Sequence, residues 1–265
     1  MNNFVFSLRL DSPPDLCYNP AMLTTTTLTL RATEAVATDP IPFHSFYGVE
    51  IPDNTAACER IIGGLSAPGK MPCASYSLSA FKCRTGSALR KVAGSTCASC
   101  YACTGAYRFP GTIAAMQRRL DSLTDPRWVA AFVRVLSAKR NRYFRWHDSG
   151  DLQSLNHLRN IVTIARETPH IAHWLPTREF GIVREYLRTY GDFPANLRVR
   201  VSAAMVDSSA PRDFAYTSEV SNRAADRAAE NPGSFACIAY GQGGKCLDCR
   251  ACWSADVRTI IYPLH

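Results

Sequence analysis

This sequence predicts an α/β protein of parallel β/α units arranged as a partial (β/α) barrel, flanked by an irregular N-terminal arm over 1–68 and a Cys-rich, metal-binding C-terminal segment over 233–265. Three observations predict it. Short apolar runs alternate with stretches of helical period over 69–232, polar residues collect where the apolar runs end, and cysteines recur at one spacing. An open doubly wound sheet satisfies the first two observations equally well.

The first 68 residues are rich in Thr, Pro, Ala and Ser and show no sustained helical period, although Leu28-Thr29-Leu30-Arg31 reads as a short strand. From Gly69 the pattern changes. Ile113, Met116, Leu120 and Leu123 share one helical face, and the next helix opens at Thr124-Asp125-Pro126 with Trp128, Phe132, Val135 and Leu136 turned inward. Tyr143–His147 reads as a strand that ends in the polar turn Asp148-Ser149-Gly150-Asp151, followed by a helix with Leu155, Leu158, Ile161, Ile164 and Ala165 on its apolar side. The unit recurs: strand Ile171–Pro176, polar end Thr177-Arg178-Glu179, and a helix carrying Ile182, Val183, Tyr186 and Leu187 up to Gly191. Leu197–Ala203 is the third strand. Trp128, Trp146 and Trp174 read as core, and His157 and His173 as packed rather than metal-bound.

At 265 residues the chain can bury a core without disulfide staples. Met1–Arg9 breaks its apolar stretch with a charge, so it reads as no secretory signal, and no apolar run approaches a membrane span. A reducing cytoplasm with thiols held on metal accounts for the cysteines. The formal charge of +8, from 30 Lys+Arg against 22 Asp+Glu, suits an anionic ligand or nucleic acid. The densest basic stretch, Lys139–Arg145, reads more simply as a solvated helix end. No nucleophile elbow, Walker loop or dinucleotide fingerprint occurs.

The chemistry lies in the cysteines. Cys97-Ala-Ser-Cys100-Tyr-Ala-Cys103 and Cys246-Leu-Asp-Cys249-Arg-Ala-Cys252 together hold six of the eleven. Three sulfurs on one loop suit an iron–sulfur cluster, whereas zinc ribbons split their ligands into two distant pairs. Cys237 precedes the second run across a Gly-rich stretch and completes a set of four, suited to a cluster or to a closed zinc site. Cys73 and Cys83 precede the first run, making five candidates for at most four places. Cys17 and Cys58 lack ligand-spaced partners.

The polar strand ends are the other candidates. His147, Asp148, Ser149 and Asp151 exceed what one helix cap requires and read as a ligand-binding turn. Arg178 is suited to a carboxylate, or Thr177 and Glu179 simply open a helix. Arg198, Arg200 and Ser202 alternate along one strand and share a face.

In order along the chain, Lys70-Met71-Pro72, Ser75–Leu78, Cys83, Gly86, Leu89–Val92, Gly94-Ser95, Cys97, Cys100-Tyr101-Ala102, Tyr143–Asp151, Trp174–Glu179 and Cys246–Trp253 resemble the phage and prophage gene product 88 domain family over roughly 69–265. Proteins of this kind resemble radical S-adenosylmethionine enzymes with a modified cysteine motif, in which an aromatic residue follows C-x-x-C, as Tyr101 does here. The resemblance implies that Cys83, Cys97 and Cys100 bind a [4Fe–4S] cluster whose fourth iron takes S-adenosylmethionine, and that a 5′-deoxyadenosyl radical then abstracts hydrogen from substrate. It implies catalytic roles for Asp148, Asp151, Arg178 and Glu179. Cofactor contacts would come from His147, Ser149, Thr177, Arg200 and Ser202. Cys237, Cys246, Cys249 and Cys252 would hold an auxiliary cluster, with zinc as the rival.

The expected partners are a small-molecule cofactor, a reductant protein and nucleic acid, with no membrane. The expected substrate is a nucleotide, nucleic acid or metabolite. The alternatives are a non-enzymatic zinc or iron–sulfur nucleic-acid-binding protein and a partner-binding scaffold.

Overall fold

The computed structural model of the protein describes residues 39–264; Cys17 and the strand expected at Leu28–Arg31 lie outside them. Seven strands form one sheet: β1 (Ser75–Tyr76), β2 (Tyr143–Trp146), β3 (Ala172–Thr177), β4 (Leu197–Ser202), β5 (Thr217–Ser221), β6 (Ser234–Ala236) and β7 (Thr259–Pro263). Their order is β1-β2-β3-β4-β5-β7-β6 and every pairing is parallel. The first five strands lie side by side in chain order, and β1 and β6 are the two ends of an open sheet.

The helices are α1 (Thr55–Ile61), α2 (Arg84–Leu89), α3 (Pro110–Ser122), α4 (Trp128–Ser137), α5 (Leu155–Glu167), α6 (Phe180–Tyr190) and α7 (Ala224–Glu230). Their ends follow local chemistry. The Asn54 side chain accepts from Ala56 N and Ala57 N to start α1, Pro110 opens α3, Ser154 accepts from His157 N to start α5, and Gly191 at φ 78° closes α6.

Alternation along the strands gives the sheet two unlike faces. Phe144, Trp146, Leu175, Val199 and Val201 point into the main core, where they meet Trp128 and Phe132 of α4, Leu158 and Ile161 of α5, and Val183 of α6. Tyr76, Trp128, Phe132 and Trp146 pack edge-on or tilted there, with centroids 4.9–6.1 Å apart. The second face carries Tyr143, Arg145, Trp174, Arg200 and Ser202. The segment around Trp253 covers part of it, with the indole donating to Phe144 O at 2.9 Å and packing edge-on against Trp174.

The β2, β3 and β4 units and the inward residues of α4 and α5 stand where periodicity put them. Other expectations change. Residues from Asp39 belong to the same compact unit as the rest; Ile41, Cys58 and Ile62 are buried in the main core, and α1 packs on α4. At least 39–68 is therefore structured, through a helix too short to show periodicity. The C-terminal segment is no appendage either, since it supplies β6 and β7, and β7 sits inside the sheet between β5 and β6. Ile113 is exposed although it lies on the expected apolar stripe of α3.

Candidate metal centre and strand-end site

The first cysteine group hangs over the C-terminal ends of β1 to β3. Cys83 ends a short 3₁₀ turn and precedes α2, while Cys97, Cys100 and Cys103 follow on the long connection to α3. A Cβ placed on Gly86 would lie 3.0 Å from Cys83 Cβ, 3.6 Å from Cys83 Sγ and 3.7 Å from Cys97 Sγ. Two sulfurs from different loops thus face one residue whose missing side chain makes the room. Cys100 and Cys103 are hydrogen-bonded to each other, and both lie within electrostatic reach of Cys97. Cys103, the third cysteine of the C-x-x-C-x-x-C run, therefore lies with this group. Burial pushes the thiols of Cys83, Cys97 and Cys103 up, and their mutual proximity adds to the shift. The Arg178 guanidinium pulls Cys97 the other way.

The carboxylates expected to be catalytic are already occupied, Asp148 and Glu179 in holding that loop and Asp151 in joining two strand ends. Asp148 accepts from Ser75 Oγ at 2.6 Å and from Tyr107 OH at 3.3 Å, and its carbonyl accepts from Tyr101 OH. Glu179 accepts from Thr85 N and Thr85 Oγ1, both at 2.8 Å, beside Cys83. Asp151 accepts from Leu152 N at 2.8 Å, Thr177 Oγ1 at 2.5 Å and Arg178 N at 2.8 Å, which ties the β2 turn to the end of β3. Burial is the main cause that raises Asp151 to about 6, the bonds from Thr177 and Arg178 oppose it, and Glu179 adds to it. All three carboxylates are buried. They act as positioning residues in this structure.

The remaining strand-end residues divide similarly. Arg178 Nε donates to Thr96 Oγ1 at 2.9 Å, which sets its guanidinium beside Cys97. Thr177 Oγ1 also accepts from Glu179 N. Ser149 Oγ donates to Leu78 O at 2.8 Å, and Ser202 Oγ bonds Ser218 Oγ at 2.8 Å. His147 adopts φ 51° and turns its ring into the protein against His157, with centroids 5.3 Å apart and no partner on either nitrogen. Burial first, then His157 and Arg145, keeps this imidazole neutral. Gly150 has φ 82°, and a Cβ there would lie 2.6 Å from Leu78 Cβ and 2.8 Å from Leu78 O. Gly150→Ala is therefore expected to cost about 3 kcal/mol, from left-handed backbone strain plus overpacking, measured as a lower urea midpoint. An unchanged midpoint would show that the β2 turn does not depend on this approach.

Arg200 has a structural role where a ligand contact was expected. Fully buried, it donates to five carbonyls: Cys252 O at 2.9 Å, Arg258 O at 3.1 Å, Ala251 O at 3.2 Å, Ser254 O at 3.0 Å and Val257 O at 2.9 Å. It fastens the second cysteine loop to β4. Cys237, Cys246, Cys249 and Cys252 line one small cavity together with Phe235, Ile238 and Ile260. Cys73 joins them from the other end of the chain: Lys70 O accepts from Cys246 N at 3.0 Å, and the Cys73 thiol lies within electrostatic reach of Cys246. Burial foremost pushes Cys73 and Cys252 up to about 12. Arg145 lowers both, with its guanidinium 4.5 Å from the Trp174 ring centroid and 3.1 Å from Met71 Sδ.

A family model described as gene product 88 matches residues 53–255. The chain belongs to the gene product 88 family. The matched span takes in both cysteine groups and every polar strand end described above. No curated protein and no solved structure matches the chain. No helix among the described residues is long and apolar enough to cross a membrane.

In this gene product 88 member, no group of three or more His, Cys, Asp or Glu side chains among the described residues is set at the spacing that holds one metal ion. The thiols are gathered more loosely, over Gly86 in one group and around the shared cavity in the other. Burial favours uncharged thiols in both groups, so several adjacent thiolates would need a bound cation to be stable there. Spacing alone put Cys103 with Cys97 and Cys100 but could not pick Cys73 for the second group. That assignment depends on which loops lie over which strands.

Proposed function

We propose that the protein is an iron–sulfur enzyme of radical S-adenosylmethionine type in which Cys83, Cys97 and Cys100 hold a [4Fe–4S] cluster at the strand ends. The observation that carries this is the approach of the Cys83 and Cys97 sulfurs to the same Gly86, within electrostatic reach of Cys100 and at the C-terminal rim of a parallel sheet. Consecutive parallel strands with a polar rim support the partial-barrel reading, and such folds take their ligands at that rim.

When bound, the cluster and S-adenosylmethionine supply one-electron reductive cleavage of the sulfonium, the electron coming from a reductant protein and the resulting radical taking hydrogen from substrate. The chain's own residues do the positioning. Glu179 fixes the start of α2 and with it Cys83, Asp148 anchors the loop through Tyr101 and Tyr107, and Asp151 locks the β2 turn to β3. Arg178 places positive charge beside Cys97. In the second group, Cys237, Cys246, Cys249 and Cys252 hold an auxiliary cluster, and Arg145 supplies a buried counter-charge. The Arg200 anchor is the observation that favours a purely structural centre there, so zinc is the second reading for that group. The work is cytoplasmic, as suits oxygen-sensitive clusters and a phage-type protein.

Anaerobically purified protein should contain iron and sulfide and, with dithionite, convert S-adenosylmethionine to 5′-deoxyadenosine. Cys83→Ala, Cys97→Ala and Cys100→Ala should each abolish this product, whereas Cys103→Ala should keep it. Loss of both iron and product in Cys103→Ala as well would make the group a closed four-thiolate site and end the proposal. Colourless protein with stoichiometric zinc in both groups would end it too.

A further inference from the structure

No Asp or Glu occurs between Glu59 and Asp121, a stretch with nine lysines and arginines that contains the whole first cysteine group. Its surface is as unusual as its composition. Phe81 is 48 % exposed, Tyr101 50 % and Phe109 63 %. The Arg90 and Arg108 guanidinium carbons stand 5.0 Å and 5.5 Å from the Phe81 ring centroid, and Arg90 is held there by donating to Ala80 O at 2.8 Å. Arg90 also acts on the Cys103 thiol, so the patch reaches the cysteine group itself. The Tyr101 ring lies 5.8 Å from that of Tyr107, and both hydroxyls are tied to Asp148 at the end of β2. Among the described residues, Lys82, Arg90 and Arg108 make no ion pair with a carboxylate.

Exposed aromatic rings set among cations without a carboxylate partner match the two halves of an unpaired nucleotide: a base to stack and a phosphate to neutralise. A paired duplex keeps its base faces stacked and out of reach, so the rings favour single strands. We propose that this surface binds single-stranded nucleic acid and brings a base to the first cysteine group. The proposal names the substrate class for the function proposed above and rests on that reading for the chemistry, though not for the binding.

The test is fluorescence anisotropy of the full-length protein with a labelled oligonucleotide of about a dozen residues, run from about 50 to about 200 mM salt. Affinity should fall steeply with salt. Phe81→Ala, Lys82→Glu and Arg108→Glu should each weaken binding about tenfold, and each charge reversal should also flatten the salt slope by about 0.7 or more. The pair Lys139→Glu with Arg140→Glu, at the opposite end of the strands, should leave binding unchanged. Far-UV circular dichroism checks that the exposed-site variants are folded. Absent or salt-insensitive binding would overturn the proposal. So would equal losses from both sets of variants, a duplex bound as tightly as the single strand, or polyglutamate bound more tightly than the oligonucleotide, which would indicate an acidic protein partner. Oligonucleotide binding without cofactor cleavage would sink the enzymatic reading and leave this one standing; cleavage without oligonucleotide binding would do the reverse.

Discussion

Arg200→Leu is expected to destabilise the protein by about 5 kcal/mol, close to the whole stability of many domains. The guanidinium saturates five carbonyls on the Ala251–Arg258 stretch, and leucine supplies none of those donors. Replacing a buried charge by a hydrophobe can be neutral when its partners are replaced too, but backbone carbonyls cannot be removed. Arg200→Lys should recover little, because one ammonium cannot span five acceptors fixed in different directions. Urea unfolding gives the measurement, with limited trypsin digestion as a local probe: cleavage after Lys245, Arg250 and Arg258 should become fast. A variant with the wild-type midpoint and wild-type protease resistance would show that the second cysteine loop is held by something else, with the metal proposed for it as the first suspect. Repeating the measurement on metal-depleted protein would separate the two.

Acidification should unfold the protein early. His147, His157 and His173 are buried and neutral, and burial holds His157 and His173 down at about 3, against an ordinary 6.5. The unfolded chain takes up these protons near its ordinary histidine value and the folded chain does not. Their contribution to stability is therefore complete above about pH 6.5 and falls below it, by about 1.4 kcal/mol per pH unit for each histidine. Asp151 works in the opposite sense. Its folded value of about 6 lies above the ordinary 3.8, so its contribution is complete below 3.8 and is lost as pH rises through 6. Three histidines against one aspartate leave a net loss of about 3 kcal/mol per unit below pH 6. Urea midpoints between about pH 7 and about pH 5 should fall steeply, and His157→Gln should flatten the slope by about 1.4 kcal/mol per unit. A stability that stays level across that range would mean that these imidazoles reach water or a partner after all.

The expected acid sensitivity has a definite place in the fold. His173 accepts from the Trp146 indole at 3.3 Å and bonds Thr168 Oγ1 at 2.9 Å, while His147 and His157 pack ring to ring beneath the β2 turn. The same packing that presents the Asp148 and Asp151 turn at the strand ends thus depends on uncharged histidines behind it.

How much of this was legible beforehand follows from the range of each interaction. The β2–α5–β3–α6–β4 run was readable because its signals are local: period two gives way to period 3.6 and back, with Gly191 marking the end of α6. The face shared by Arg198, Arg200 and Ser202 follows from strand alternation alone. Helix α1 and strands β5 to β7 were missed because seven-, five- and three-residue elements carry too few side chains to show a period. The polar strand ends were recognised as special, yet their residues appeared free for a ligand. Only the structure supplied Thr85, Thr177, Ser75 and Tyr107 as their partners.

By itself the sequence determined the alternating parallel architecture, the two clusters of thiols and the concentration of polar groups where strands end, because period, cap and spacing act over a few neighbouring residues. Tertiary structure decided the rest. It brought Cys83 to Cys97 and Cys73 to Cys246, made Arg200 an anchor, turned Asp148 and Glu179 into supports for the first cysteine loop, and made Asp151 a tie between the β2 turn and β3. A side chain's role is set by what stands within about 3 Å of it once the chain is folded, and partners tens of residues away leave no trace in local spacing.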